Sequence, residues 1–189
     1  MTDRIEDREA DGALPAELRG MRLAPMTDAH AEAICGWRYP PPYDRFDWPA
    51  WEEMAARGME FADPWIRETQ YASVLNDRDE LIGYVQFFPL LNATRLGLGL
   101  RPDLCGKGGG PFLARLAAEE ALRRSPGVEV DLEVLAWNIR AIRAYKKAGF
   151  VLDDTYCRQT PTGPDCFHCM VYRPATPRNR PSRSPLPRR

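Results

Sequence analysis

The period of the apolar positions changes repeatedly between residues 20 and 174, and each change marks an element. MRLAPMT (21–27) reads as a short strand, and DAHAEAICGW (28–37) as a helix with Asp28 placed to cap it. RYPPPYDRFDW (38–48) is dense in proline and aromatics and reads as a loop. PAWEEMAARGM (49–59) opens on Pro49 and reads as a short helix. QYASVLN (70–76) and ELIGYVQFFPL (80–90) are β-rich, and Asn76-Asp77-Arg78-Asp79 between them makes a hairpin. ATRLGLGLRP (93–102) predicts another strand. PFLARLAAEEALRRS (111–125) sets Leu113, Leu116, Ala117 and Ala121 on one helical face. A strand (128–137), a helix (138–149) and a last β region (150–157, then 166–174) follow. The order β-α-α-β-β-β-α-β-α-β-β predicts an α/β (α+β) fold, one mixed sheet with helices packed on it.

At 189 residues the chain fits one domain. Residues 1–19 are acid-rich and are expected to form a mobile arm; residues 20–174 form the folded domain. Residues 175–189, rich in proline and arginine, are expected to be a disordered basic tail. The net charge of −1 gives the body no argument for nucleic-acid binding. The five cysteines form no even framework, and the start, MTDRIEDREADG, has no apolar region of a signal peptide. No apolar run approaches a membrane span. These features predict a reduced, soluble, cytoplasmic protein.

Candidate chemistry concentrates in LCGKGGGPF (104–112), between a strand and a helix. A helix N-terminus leaves N–H groups unpaired and carries partial positive charge. Glycines before it let those groups close on an anion, Lys107 adds charge, and Pro111 suits the first turn. The stretch therefore fits a phosphate or pyrophosphate cradle. It is not a P-loop, because Lys107 precedes the last glycine, and its glycine spacing does not give the dinucleotide fingerprint.

A third pattern matches. Cys105-Gly106-Lys107-Gly108-Gly109-Gly110 fits [R/Q]-x-x-G-x-[G/A], except that Cys105 stands where Arg or Gln is usual. Farther on, Asn138, Ala141, Tyr145, Lys147, Gly149 and Phe150 fit N-x-x-[A/S]-x-x-x-Y-x-[K/R]-x-G-F at every position. With both segments in this order, the chain resembles the GNAT superfamily of acyl-CoA-dependent N-acyltransferases, closely over 95–150 and weakly over 20–94. Physical reading agrees: Asn138 can cap the helix, Ala141 and Tyr145 share a face, and Gly149 can end it.

The resemblance implies a GNAT fold: a mostly antiparallel sheet of six to seven strands, strands four and five splayed, and about four flanking helices. It implies acetyl-CoA as co-substrate and no metal. The pantetheine arm would bond Leu98, Gly99 and Leu100, with Gly97 and Gly99 helping a bulge or a close backbone approach. Residues 105–110, Asn138, Ala141, Tyr145 and Lys147 would complete the coenzyme site. A primary amine on a small molecule or a peptide would attack the thioester directly, and Tyr145 would protonate the leaving thiolate. No glutamate lies on strand four, so Glu133 and Asp131 are the candidate bases, and Asn138 is a candidate to position water. Trp37, Tyr39 and Tyr43, with Phe46, Trp48 and Trp51, are the candidate acceptor wall, although such a loop can equally cap a core. A non-catalytic acyl-CoA-binding module is the alternative function, and a homodimer stays open.

Two cysteine features carry other chemistry. Cys166-Phe167-His168-Cys169 has metal-ligand spacing but no second pair nearby, and reads better as a strand with small buried thiols. Cys105, if exposed beside a helix N-terminus, would have a lowered thiol pKa.

Overall fold

A computed structural model describes residues 14–161 and 163–174. The expected basic tail and residues 1–13 of the expected arm lie outside the described residues. Seven strands form one sheet: β1 (Arg22–Ala24), β2 (Tyr71–Leu75), β3 (Leu81–Pro89), β4 (Ala93–Leu100), β5 (Glu129–Leu135), β6 (Phe150–Thr160) and β7 (Gly163–Tyr172). Their order is β1-β2-β3-β4-β5-β7-β6. Only β4 and β5 pair in parallel; every other neighbour is antiparallel. Five helices flank the sheet: α1 (Asp28–Cys35), α2 (Trp51–Arg57), α3 (Pro64–Gln70), α4 (Gly110–Arg124) and α5 (Ile139–Ala148).

Strand alternation divides the core in two. Val85, Leu96, Leu132 and Val134 pack with Leu113, Ala117 and Ile142 under α4 and α5. On the other face, Ile34 and Met54 of α1 and α2 pack with Phe61 and Tyr71, and Tyr84 lies against them. Leu14 and Leu18 are buried in the first cluster. This corrects the expected arm at residues 14–19: two leucines there cover apolar surface beside the glycine loop, so the segment is folded.

Local departures have simple causes. Thr27, not Asp28, caps α1 by accepting from the His30 N–H at 3.2 Å. Asp28 is the first helical residue and pairs with Arg67 at 2.5 Å. Helix α2 begins at Trp51, two residues past Pro49. Helix α3 was not expected, although Asp63 caps it through the Trp65 and Ile66 N–H groups and Pro64 opens it.

Cys157 and Cys166 face each other across the β6–β7 pair and form a disulfide. This corrects both the reduced chain and the buried thiols: the two residues are exposed, and only the hairpin register brings them together. Among the described residues no group of three or more His, Cys, Asp or Glu could hold a metal. No helix among them is long and apolar enough to cross a membrane.

Candidate active site

The sheet opens where β4 leaves β5. Their parallel pairing covers Ala93–Glu129, Thr94–Val130 and Arg95–Asp131 and then stops. β4 stays paired to β3 as far as Gly83–Leu100. The edge of β4 from Leu96 to Leu100 therefore faces a gap, which widens into a cleft of about 650 Å³. Leu98, Gly99 and Leu100 line it, as expected.

The bulge expected at the two strand glycines is absent, and both make room for side chains of β3. The close approach is by a side chain: a Cβ on Gly99 would stand 2.5 Å from Tyr84 Cζ. Gly97 has Gln86 Cβ at 3.2 Å from the same position.

The glycine loop forms the cleft's second wall. Gly106 and Gly108 have φ of +81° and +94°, a region that side chains with a Cβ rarely adopt. Gly109 has no such freedom to exploit; a Cβ there would meet Leu18 at 3.0 Å, so it is small for packing. No side chain caps the N-terminus of α4, and Pro111 has no N–H to satisfy. Cys105, Gly106, Gly108 and Gly110 line the cleft, whereas Gly109 is buried and Lys107 is exposed outside the lining. Cys105 is half-buried, and burial pushes its thiol up rather than down. Its sulfur lies 3.5 Å from the Leu100 carbonyl oxygen.

Helix α5 makes the third wall. The Asn138 side-chain Oδ1 accepts from the Ala141 N–H at 3.2 Å, and Gly149, with φ of +107°, ends the helix. Asn138, Ala141, Tyr145 and Lys147 all line the cleft. Gly110 of α4 abuts α5: a Cβ there would meet Ala144 Cβ at 3.0 Å. Arg140, Arg143 and Lys147 flank Ala144 at helical spacing and also line the cleft. Among the described residues none of the three pairs with an acid. Sequence reasoning missed the two arginines, although their spacing from Lys147 on a helix was a readable signal.

The Tyr145 ring packs on Phe150 at 6.0 Å between centroids. Burial pushes its hydroxyl up to about 12, with Tyr84 adding to the rise and Arg140 opposing it. Among the described residues the hydroxyl has no hydrogen-bond partner.

Glu133 lines the cleft, but both its oxygens are engaged. Oε1 accepts from Arg95 and Oε2 from Arg158 at 3.2 Å. Asp131 takes the same Arg95 at 2.7 Å and is buried.

The aromatic loop splits between both roles left open for it. Tyr39 lines the cleft and donates to the Leu100 carbonyl oxygen at 2.9 Å, and burial raises its pKa. Trp37 packs in the second core, 6.1 Å from the Tyr84 ring. Tyr43 packs at a tilt against Trp137 and carries the Arg140 guanidinium 3.9 Å over its ring, outside the cleft lining. Phe46, Asp47, Trp48, Tyr84 and Phe167 complete the wall. Phe46 and Trp48 were expected there from the aromatic loop, whereas Trp51 packs in the second core; Asp47, Tyr84 and Phe167 were not expected, and the last two come from distant segments that local pattern could not join.

Fold comparisons agree with this architecture. A variant of the spermidine N-acetyltransferase SpeG from Vibrio cholerae superposes with a TM-score of 0.63, 15% identity, and coverage of 80% of this chain and 92% of that one. The aminoglycoside acetyltransferase AAC(6')-Ib in complex with coenzyme A gives 0.60, 22%, 80% and 95%. A ribosomal-protein alanine N-acetyltransferase from Escherichia coli gives 0.55, 20%, 80% and 92%. By sequence, the chain matches no curated protein. The family model described as the acetyltransferase (GNAT) family matches residues 32–150. That match takes in the splayed strands, the glycine loop and α5, and on it the chain belongs to the acetyltransferase (GNAT) family.

Proposed function

We propose that the protein is an N-acetyltransferase that moves an acetyl group from acetyl-CoA to a primary amine by direct attack. One observation carries this reading: the gap between β4 and β5 runs straight into the uncapped N-terminus of α4. A long thiol arm would have an open strand edge to bond and a ring of backbone N–H groups at its phosphate end. Arg143 and Lys147 add fixed positive charge beside that end. The donor set suits coenzyme A, whose thioester supplies an activated acyl group.

In this reading the amine nitrogen forms a bond to the acyl carbon, the carbon–sulfur bond breaks, and Tyr145 faces the leaving thiolate. Full proton transfer from a phenol at about 12 to a thiol near 8.5 is uphill by about 3.5 units, or about 5 kcal/mol. Tyr145 therefore acts as a general acid that shares its proton through a hydrogen bond while the charge develops. The amine proton leaves to water. Glu133, with both oxygens held by arginines, shapes the acceptor wall electrostatically and is a poor candidate to take that proton directly.

Calorimetric titration with acetyl-CoA tests the coenzyme half. Wild type should bind, and the Arg143→Glu/Lys147→Glu variant should bind at least tenfold more weakly with its fold intact. Failure of the wild type to bind would overturn the reading. Release of thiol in the presence of an amine panel tests turnover and separates an enzyme from a binding module.

A further inference from the structure

The aromatic-walled part of the cleft has its own chemistry. Its walls are the rings of Tyr39, Phe46, Trp48, Tyr84 and Phe167. Two carboxylates line it, Asp47 and Glu133. Glu133 is neutralised by Arg95 and Arg158. Asp47 is not: among the described residues it meets no lysine or arginine. Its Oδ1 accepts from the Tyr39 N–H at 2.9 Å, and among the described residues Oδ2 has no partner.

That loop is fastened over the gap. Tyr39 bonds the Leu100 carbonyl oxygen, and the Trp48 indole N–H donates to the Tyr84 hydroxyl at 3.1 Å. Asp47 lies between these two anchors in sequence, so the fastened loop holds it at the cleft wall. One uncompensated carboxylate among aromatic faces is the pairing that selects an organic ammonium: the carboxylate takes the charge, and the rings take the apolar body and add cation–π attraction.

The cleft also limits how much charge it will accept. Arg45 and Arg140 also line the cleft. Arg45 is matched by Asp165 at 2.5 Å, while Arg140 lies over the Tyr43 ring face and, among the described residues, pairs with no acid. A second or third ammonium on the acceptor would meet the Arg140 guanidinium.

We infer that Asp47 and the surrounding aromatic rings form the acceptor subsite, specific for a monocationic amine with an aromatic body rather than for a polyamine. This rests on the acetyltransferase reading only for the word acceptor; the binding site itself stands on the cleft. Asp47→Asn is the decisive variant, because the amide oxygen can still accept from the Tyr39 N–H while the charge is gone.

The experiment is calorimetry on the full chain with coenzyme A present, using 2-phenylethylamine, spermidine and 3-phenylpropionate as probes. Phenylethylamine should bind, the anionic phenylpropionate should not, and spermidine should bind more weakly. Asp47→Asn should weaken phenylethylamine about tenfold to a hundredfold and leave coenzyme A affinity unchanged. No binding of phenylethylamine, tighter binding of spermidine, or equal binding by Asp47→Asn would overturn the inference. Coenzyme A is titrated first. If it fails to bind, the acetyltransferase reading falls, and the amine titrations without it still decide the subsite.

Discussion

The ring of Tyr84 lies over Gly99, its cross-strand partner, with no room between them for a methyl group. Tyr84 is held there by the Trp48 indole and by Phe61, whose ring centroid is 6.4 Å away. Gly99→Ala must therefore push Tyr84 off the strand. The expected cost is about 1–3 kcal/mol, typical of overpacking. Gly97→Ala should cost less, since the nearest atoms to its Cβ lie 3.2 Å away. Urea unfolding of both variants checks the order. Replacing Tyr84 with valine in the Gly99→Ala background should recover part of the loss.

Tyr145→Phe keeps the ring against Phe150 and removes only the hydroxyl. Coenzyme affinity should hold while turnover falls about a hundredfold, the low end of what a general acid contributes, because proton transfer from this phenol is uphill. Steady-state kinetics with any accepted amine checks it. Unchanged kcat would remove Tyr145 from the mechanism.

The fold was largely legible because its signals are local. Period changes gave all seven strands and four of the five helices, and two short motifs gave the glycine loop and the capped α5. What escaped was set by tertiary contact. Gly99 reads as a weak strand residue until Tyr84 is seen lying over it. Asp47 and Tyr84, 37 residues apart, come to one cleft wall only when the loop closes over β4. Cys157 and Cys166 become a pair only through the β6–β7 register. Leu14 and Leu18 sit in an acid-rich stretch whose composition hid two core residues.

The disulfide has a direct count. Cys35, Cys105 and Cys169 are free, so three of five cysteines should react with a thiol reagent in denaturant, and all five after reduction. In the folded protein Cys105, half-buried, should react before Cys35, which is buried. The bond closes a segment of nine residues, so reduction should lower stability by about 2–3 kcal/mol on the chain-entropy model. A shift in the urea midpoint on reduction checks the size. Five reactive thiols without reductant would mean that the strands hold a dithiol.

Alkaline pH should unfold the protein through its tyrosines. Burial raises Tyr39 and Tyr71, and pushes Tyr84 and Tyr145 up to about 12 from an ordinary value of 10.0. Tyr71 gains further from donating to Glu60 at 2.6 Å. A raised pKa means that the folded state holds the proton more tightly than the unfolded chain does. Stability from these groups is thus fully present below about pH 10 and is lost as pH rises toward about 12. Urea midpoints should be flat from neutral pH to about pH 9 and fall steeply beyond about pH 10. Phenolate absorbance from the buried tyrosines should appear together with the loss of helical circular dichroism, since they ionise only on unfolding. Tyr84→Phe removes one such proton and should make the alkaline fall shallower, even though it leaves the Trp48 indole without its partner and lowers the starting stability. Complete ionisation ahead of unfolding would mean that water reaches these rings, and the closed aromatic wall over β4 would have to be abandoned.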